Sequence, residues 1–163
     1  MLLFAEVLAV VLVAITMALS LAHALELPGK LRLGRDDYFA VQTIYYPGFT
    51  IGGAGEILSI LVLVGLLVVA PYGDARFYWT LAAFLLLLAG HGIYWLVTHP
   101  VNNFWLKDVK LSGSGSVFFS AFTREISGDW TRLRDIWEYS HVARAVLAML
   151  ALIAITIAVS SAQ

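Results

Sequence analysis

The chain has 163 residues, of which 61% are hydrophobic and 13% charged, with a mean hydropathy of +0.86. Soluble domains are about half apolar and a quarter charged, so this composition excludes one and indicates a polytopic membrane protein. The lack of cysteine removes disulfides, thiolate ligands and cysteine nucleophiles, and a net charge of −1 offers nucleic acid no basic surface.

Four apolar stretches, 3–25, 50–70, 77–98 and 140–160, each approach the ~20 residues that a bilayer core requires. The first has no basic n-region, which predicts a retained helix rather than a cleaved signal peptide. Irregular chain does not cross lipid, so the expected fold is all-α: a single domain, a transmembrane antiparallel four-helix bundle. The first connection carries Pro28-Gly29 and Pro47-Gly48, with Asp36-Asp37-Tyr38-Phe39 placed to open a short interfacial helix. Pro71-Tyr72-Gly73-Asp74 is a tight turn that makes the second and third spans hairpin neighbours. In the third connection, 112–116 reads Ser-Gly-Ser-Gly-Ser, a flexible linker, followed by an apolar run at 117–122. Residues 129–136 then form a short amphipathic interfacial segment before the last helix, with Trp130 and Trp137 suited to the headgroups.

Lys30, Arg32 and Arg35 lie in the first connection, and Lys107, Lys110, Arg124, Arg132 and Arg134 in the third. Arg76 alone lies in the turn between them, and the termini carry no basic side chain. The bias predicts cytoplasmic long connections and outward termini in a membrane such as the bacterial inner membrane.

The ionisable residues then fall at one level. His23 and Glu26 close the first span, Glu56 lies about two turns into the second, and His91 and His99 lie toward the end of the third. Glu138, His141 and Arg144 open the fourth, spaced i, i+3, i+6 along one expected stripe, and only Glu6 lies near the other face. Charges inside a membrane need partners or water and mark functional sites by default. Two readings apply. Glu56 pairs with Arg144 or His91 and locks the helices together, or the cluster carries chemistry.

Glu138-x-x-His141 is the Glu-x-x-His step of di-iron carboxylate bundles, and His23-x-x-Glu26 presents the same pair reversed. With Glu56 and His91 these residues make a candidate ligand set for iron, copper, manganese or zinc. A complete di-iron set needs two further Glu, and only one further helix supplies one. Haem between His91 and His23 or His141 is a lesser option. Gly52, Gly53 and Gly55 beside Glu56, and Gly90 and Gly92 around His91, permit close helix packing or leave room for a ligand. Tyr45, Tyr46, Phe49, Tyr94, Trp95, Phe104, Trp105 and Trp137 border the same leaflet, either as an aromatic belt or as a flat pocket for a lipophilic small molecule. His91, Trp95 and His99 share one helix face by i, i+4 spacing.

Three segments together carry a resemblance. They are His23-Ala24-Leu25-Glu26-Leu27-Pro28-Gly29-Lys30, His99-Pro100-Val101-Asn102-Asn103-Phe104-Trp105, and Trp130 followed by Leu133-Arg134-Asp135-Ile136-Trp137-Glu138 with His141 and Arg144. Their order and spacing resemble the small four-helix integral membrane family that includes the fungal anthrone oxygenases. The resemblance implies oxidation of a tricyclic anthrone to an anthraquinone with O2 and no bound cofactor. An anthrone has an acidic C–H beside an aromatic ketone, which a neutral His within reach can deprotonate. On this reading His141 or His91 is the base and Glu138 or Glu56 orients it. Arg144, Asn102 or Asn103 stabilises the oxyanion, and Trp95, Trp105 and Trp137 hold the rings. The alternatives are a metal- or haem-binding redox protein using the same His and Glu, and a non-enzymatic subunit of a larger membrane complex. Lipid and a second copy of the chain are the other expected partners.

Overall fold

The computed structural model describes residues 2–45, 47–105 and 128–161. Helices α1 (Leu2–Lys30) and α2 (Arg35–Gln42) are followed by a 3-10 turn (Thr43–Tyr45) and α3 (Gly48–Val69). After α3 come α4 (Ala75–Ile93), a π turn (Tyr94–Thr98), α5 (His99–Trp105) and α6 (Trp130–Ser160). No strand occurs among the described residues. Four helical segments are long and apolar enough to cross a membrane: Leu2–Lys30, Ile51–Val69, Ala75–Asn102 and Trp130–Ser160. The four apolar helices make this a membrane protein. The linker at 112–116, the apolar run at 117–122 and the basic residues Lys107, Lys110 and Arg124 lie outside the described residues.

The packing is inverted relative to a soluble protein. The core is rich in small residues, with Ala9, Ala83 and Ala151 fully buried, while Leu58, Leu61, Leu85, Leu88 and Ile153 face outward. In lipid, apolar side chains gain nothing by hiding, and small residues win the interior because they let backbones approach. Helix α6 shows this most clearly. Ala145, Ala148, Ala151, Ala154 and Ala158 form its buried face, and α1 and α4 pack against α6. Helix α3 packs on α1 and α4. A Cβ at Gly52 would come within 2.5 Å of Leu19 Cδ1, so a larger residue there would push the Leu19 side chain aside where α3 meets α1.

Three boundaries differ from the sequence expectation. Helix α1 continues beyond residue 25, through Pro28, to Lys30. A proline this near a helix end removes one late hydrogen bond and leaves the rest of the helix intact. The segment 129–136 is continuous with the last span: Asp129 caps α6 by accepting from Thr131 N–H, and no break separates Trp130 from Ser160. The third span passes through the π turn before reaching α5. The hairpin turn is as expected. Gly73 supplies φ +91°, Asp74 N–H donates to Pro71 at 3.2 Å, and the Asp74 side chain caps α4 by accepting from Arg76 N–H at 3.0 Å.

At the end of α4 opposite this hairpin, α2, α5 and the first turns of α6 close over the helices. Tyr38, Tyr45, Val101, Trp105, Leu133 and Trp137 form a second apolar cluster there, separate from the one between the spans. Asp36 and Asp37 in the first turn of α2 oppose its positive N-terminal dipole.

Candidate functional site

Beneath that second cluster lies a partly open cavity of about 480 Å³ lined by α1, α3, α4, α5 and α6. Helix α1 contributes Thr16, Leu19, Ser20 and His23; α3 contributes Gly52, Gly53 and Glu56. His91, Tyr94 and Trp95 line it from α4 and the π turn, Asn102 from α5, and Trp137, His141 and Arg144 from α6. Most of its wall is apolar or aromatic, with a few convergent polar groups, as in small-molecule sites.

The polar residues divide into three groups. In the first, Arg144 Nη2 donates to Glu56 Oε2 at 2.6 Å, and Glu56 Oε1 lies 3.1 Å from His91 Nδ1. Trp95 Nε1–H donates to His91 Nε2 at 2.9 Å. Indole nitrogen is donor only, so His91 Nε2 must accept, and the proton sits on Nδ1 toward Glu56. Both alternatives for Glu56 are therefore realised at once: it meets Arg144 and His91. The Arg144 guanidinium also lies over the Tyr94 ring, 5.0 Å from its centroid.

The second group is a polar network above the cavity. Lys30, only 4% exposed, lies 3.0 Å from Glu26 Oε2 and 3.5 Å from Glu138 Oε1. Its Nζ sits 4.7 Å from the centroids of both Tyr45 and Trp137. Tyr38 Oη donates to Glu138 Oε1 at 2.9 Å, and Tyr45 Oη donates to Glu26 Oε2 at 2.5 Å. Burial, and then the Glu138 carboxylate, push the Tyr38 phenol well above its ordinary value near 10. Burial and the hydrogen bond to Glu26 do the same for Tyr45.

Between these groups stand His23 and His141, with ring centroids 4.1 Å apart. Trp137 flanks both, at 5.0 Å from His23 and 4.2 Å from His141. Neither ring nitrogen of His141 has a hydrogen-bond partner among the described residues, and His23 Nδ1 has none either. Unsatisfied buried polar atoms are rare and call for an explanation; a ligand is one.

The candidate residues are thus distributed differently from the expectation. Glu138 is fully buried and turned to Tyr38 and Lys30, so it does not orient His141; Glu56 serves His91 instead. Residues six apart on a helix diverge by about 120°, which sends Glu138 and Arg144 to opposite sides of His141. Trp95, Asn102 and Trp137 line the cavity, and Trp137 Nε1–H donates to Asn102 Oδ1 at 2.6 Å. Trp105 does not line it but packs on Tyr38 and Phe39, 5.2 and 5.1 Å away by ring centroids. The side chain of Asn103 and all of Tyr46 lie outside the described residues. His99 is buried beside Tyr94 and Trp95. Sequence reasoning overlooked Lys30, Tyr38 and Ser20; Lys30 was detectable as the i+4 neighbour of Glu26 had the helix been extended through Pro28.

The metal and haem alternatives fit poorly. His23, Glu26, Glu56, His91, Glu138 and His141 are split among the three groups, and no three His, Asp or Glu converge on one point among the described residues. His91, the histidine common to both haem pairings, has both nitrogens engaged, by Glu56 and Trp95.

No family model, curated protein or solved structure matches the chain. The resemblance to the anthrone-oxygenase family rests on the sequence segments quoted above.

Proposed function

We propose that this membrane protein is a monooxygenase-like oxidoreductase that takes a lipophilic, planar, anthrone-type substrate from the bilayer and oxidises it with O2. The observation that supports this reading best is His141: a buried imidazole with both nitrogens unpartnered among the described residues, on the wall of an aromatic cavity. Of the two candidate bases, His91 has its lone pair occupied by Trp95, and that of His141 meets no donor among the described residues. The helices form an antiparallel bundle, with α2 and the start of α6 at the interface and the cavity in the cytoplasmic leaflet.

The chemistry follows from the wall. His141 removes a proton from the C–H beside the aryl ketone, giving an enolate. Arg144 gives Nη2 to Glu56, and as a cavity-lining guanidinium with further N–H donors it is the group that stabilises the developing oxyanion. The enolate carbon gives electrons to O2 and forms a C–O bond. The peroxide takes a proton to become a hydroperoxide, which loses water and leaves a second ketone. One anthrone and one O2 thus give one anthraquinone and one water, with no external reductant.

The test is anaerobic mixing of purified protein with an anthrone, followed by admission of O2. Enolate absorbance without O2, then uptake of one O2 per quinone formed, is expected. Folded protein that gives neither overturns the reading.

A further inference from the structure

The cavity is walled unevenly. Its lining residues from α1 (Thr16, Ser20, His23) and α6 (Trp137, His141) are buried. Tyr45 and Trp137, 4% and 3% exposed, belong to the apolar cluster that covers it. Every exposed residue among those lining the cavity lies near the start of α3: Ile51, Gly53, Ala54 and Ile57. Ile51 and Ile57 are 68% and 47% exposed. They fall within the apolar segment Ile51–Val69, so what they face is lipid.

The two seams of α3 differ. Toward α1 its glycines are covered: a Cβ at Gly52 would strike Leu19, and one at Gly55 would rest 3.6 Å from Ile15. A Cβ at Gly53 would meet nothing within 4 Å. Gly53 stands three residues before Glu56 and four before Ile57, so the three share a face of α3. From that face Glu56 reaches His91 at 3.1 Å, and the His91 side chain is 26% exposed, so this seam does not close over it. Behind the opening stands the buried His141, with both ring nitrogens unpartnered among the described residues. An orphaned polar group of this kind points to a ligand.

We infer that the ligand enters sideways from the bilayer, through a window in the α3–α4 seam edged by Gly53 and Ile57 on one side and by His91 and Trp95 on the other, and that Gly53 sets the size of molecule admitted. The identity of that ligand rests on the oxidoreductase reading; the window does not. Entry from hydrocarbon selects lipophilic molecules before any polar group of the site is met, since a charged solute must first be desolvated.

The native chain has no cysteine, so one introduced thiol is unique. Ser20→Cys places it on the cavity wall, and Thr16→Cys on the same wall serves if the first variant fails to fold. Full-length protein in lipid vesicles is treated with N-benzylmaleimide, which partitions into lipid, or with a charged maleimide confined to water. The lipophilic reagent should modify the thiol faster. Gly53→Leu in the same chain should slow that reaction by about tenfold or more, because thiol modification follows access. Leu61→Trp, on the same helix at a lipid-facing position that does not line the cavity, should leave the rate unchanged. An unchanged rate in Gly53→Leu overturns the inference. So does faster labelling by the charged reagent, or no labelling of folded protein by the lipophilic one. The measurement uses neither anthrone nor O2, so wild-type protein that consumes no O2 with an anthrone removes the oxidoreductase and leaves the window to be judged by labelling alone.

Discussion

Arg144 of the last apolar helix donates to Glu56 of the second at 2.6 Å, with both side chains nearly sequestered, at 11% and 8% exposure. Removing one partner leaves an uncompensated buried charge. Glu56→Ala or Arg144→Ala should each lower stability by about 3–5 kcal/mol, whereas the double variant Glu56→Leu with Arg144→Met should lose much less. Chemical denaturation in a fixed detergent measures both, and equal losses in single and double variants would refute the pairing argument.

The two cavity histidines make different predictions for turnover. His141→Ala should cut O2 uptake with an anthrone by about 10²–10⁴-fold, the usual worth of a general base. His91→Gln keeps a partner for Glu56 and Trp95 and should stay within about tenfold of wild type on the same scale. The reverse ranking would assign the base to His91.

How much of this site was legible beforehand differs from one residue to the next. Apolar length alone located the four spans, because lipid leaves a chain few alternatives. The shared level of His23, Glu56, His91 and His141 followed from counting turns. Partner choice did not. Glu138 and Arg144 looked like one stripe, yet helix geometry rotates them apart, and only the positions of Lys30 and Glu56 decide where each carboxylate and guanidinium goes. In the sequence Tyr38 shows only as part of an interfacial helix, since nothing local indicates a hydrogen bond to a residue one hundred positions away.

Tyr38 and Tyr45 also predict a pH response. Both phenols are held above their ordinary value by burial and by carboxylates, Glu138 and Glu26 respectively. A group whose folded pKa is raised contributes stability that is complete below the unfolded value and declines as pH climbs past it. Stability should therefore fall from about pH 10 upward, while phenolate absorbance from these two residues stays absent until unfolding. Tyr38→Phe should make that fall shallower, and should cost about 1–3 kcal/mol at neutral pH through the abandoned Glu138 oxygen. Phenolate absorbance from Tyr38 in folded protein near pH 10 would contradict this.

Gly52 offers a way to alter the cavity without touching its polar groups. The added methyl of Gly52→Ala meets the tip of Leu19, a cavity-lining side chain that can rotate inward. Overpacking of this kind costs about 1–3 kcal/mol, here taken mainly from ligand affinity. Leu19→Ala in the same chain should restore binding. A Gly52→Ala variant that binds an anthrone as tightly as wild type would show that the space lies elsewhere.

The π turn at Tyr94–Thr98 separates two parts of one helix that answer to different demands. Upstream, His91 faces the cavity; within the turn Trp95 faces it too and the Thr98 hydroxyl lies 2.8 Å from that of Ser140; downstream, Asn102 accepts from Trp137. An extra residue in one turn shifts the angular phase of everything after it by about 100°. The helix behaves like a shaft with a keyed coupling. Its lower half can be re-indexed by losing or gaining a residue after Trp95 while its upper half keeps its setting, so insertions and deletions there would vary the roof of the cavity and leave His91 in place.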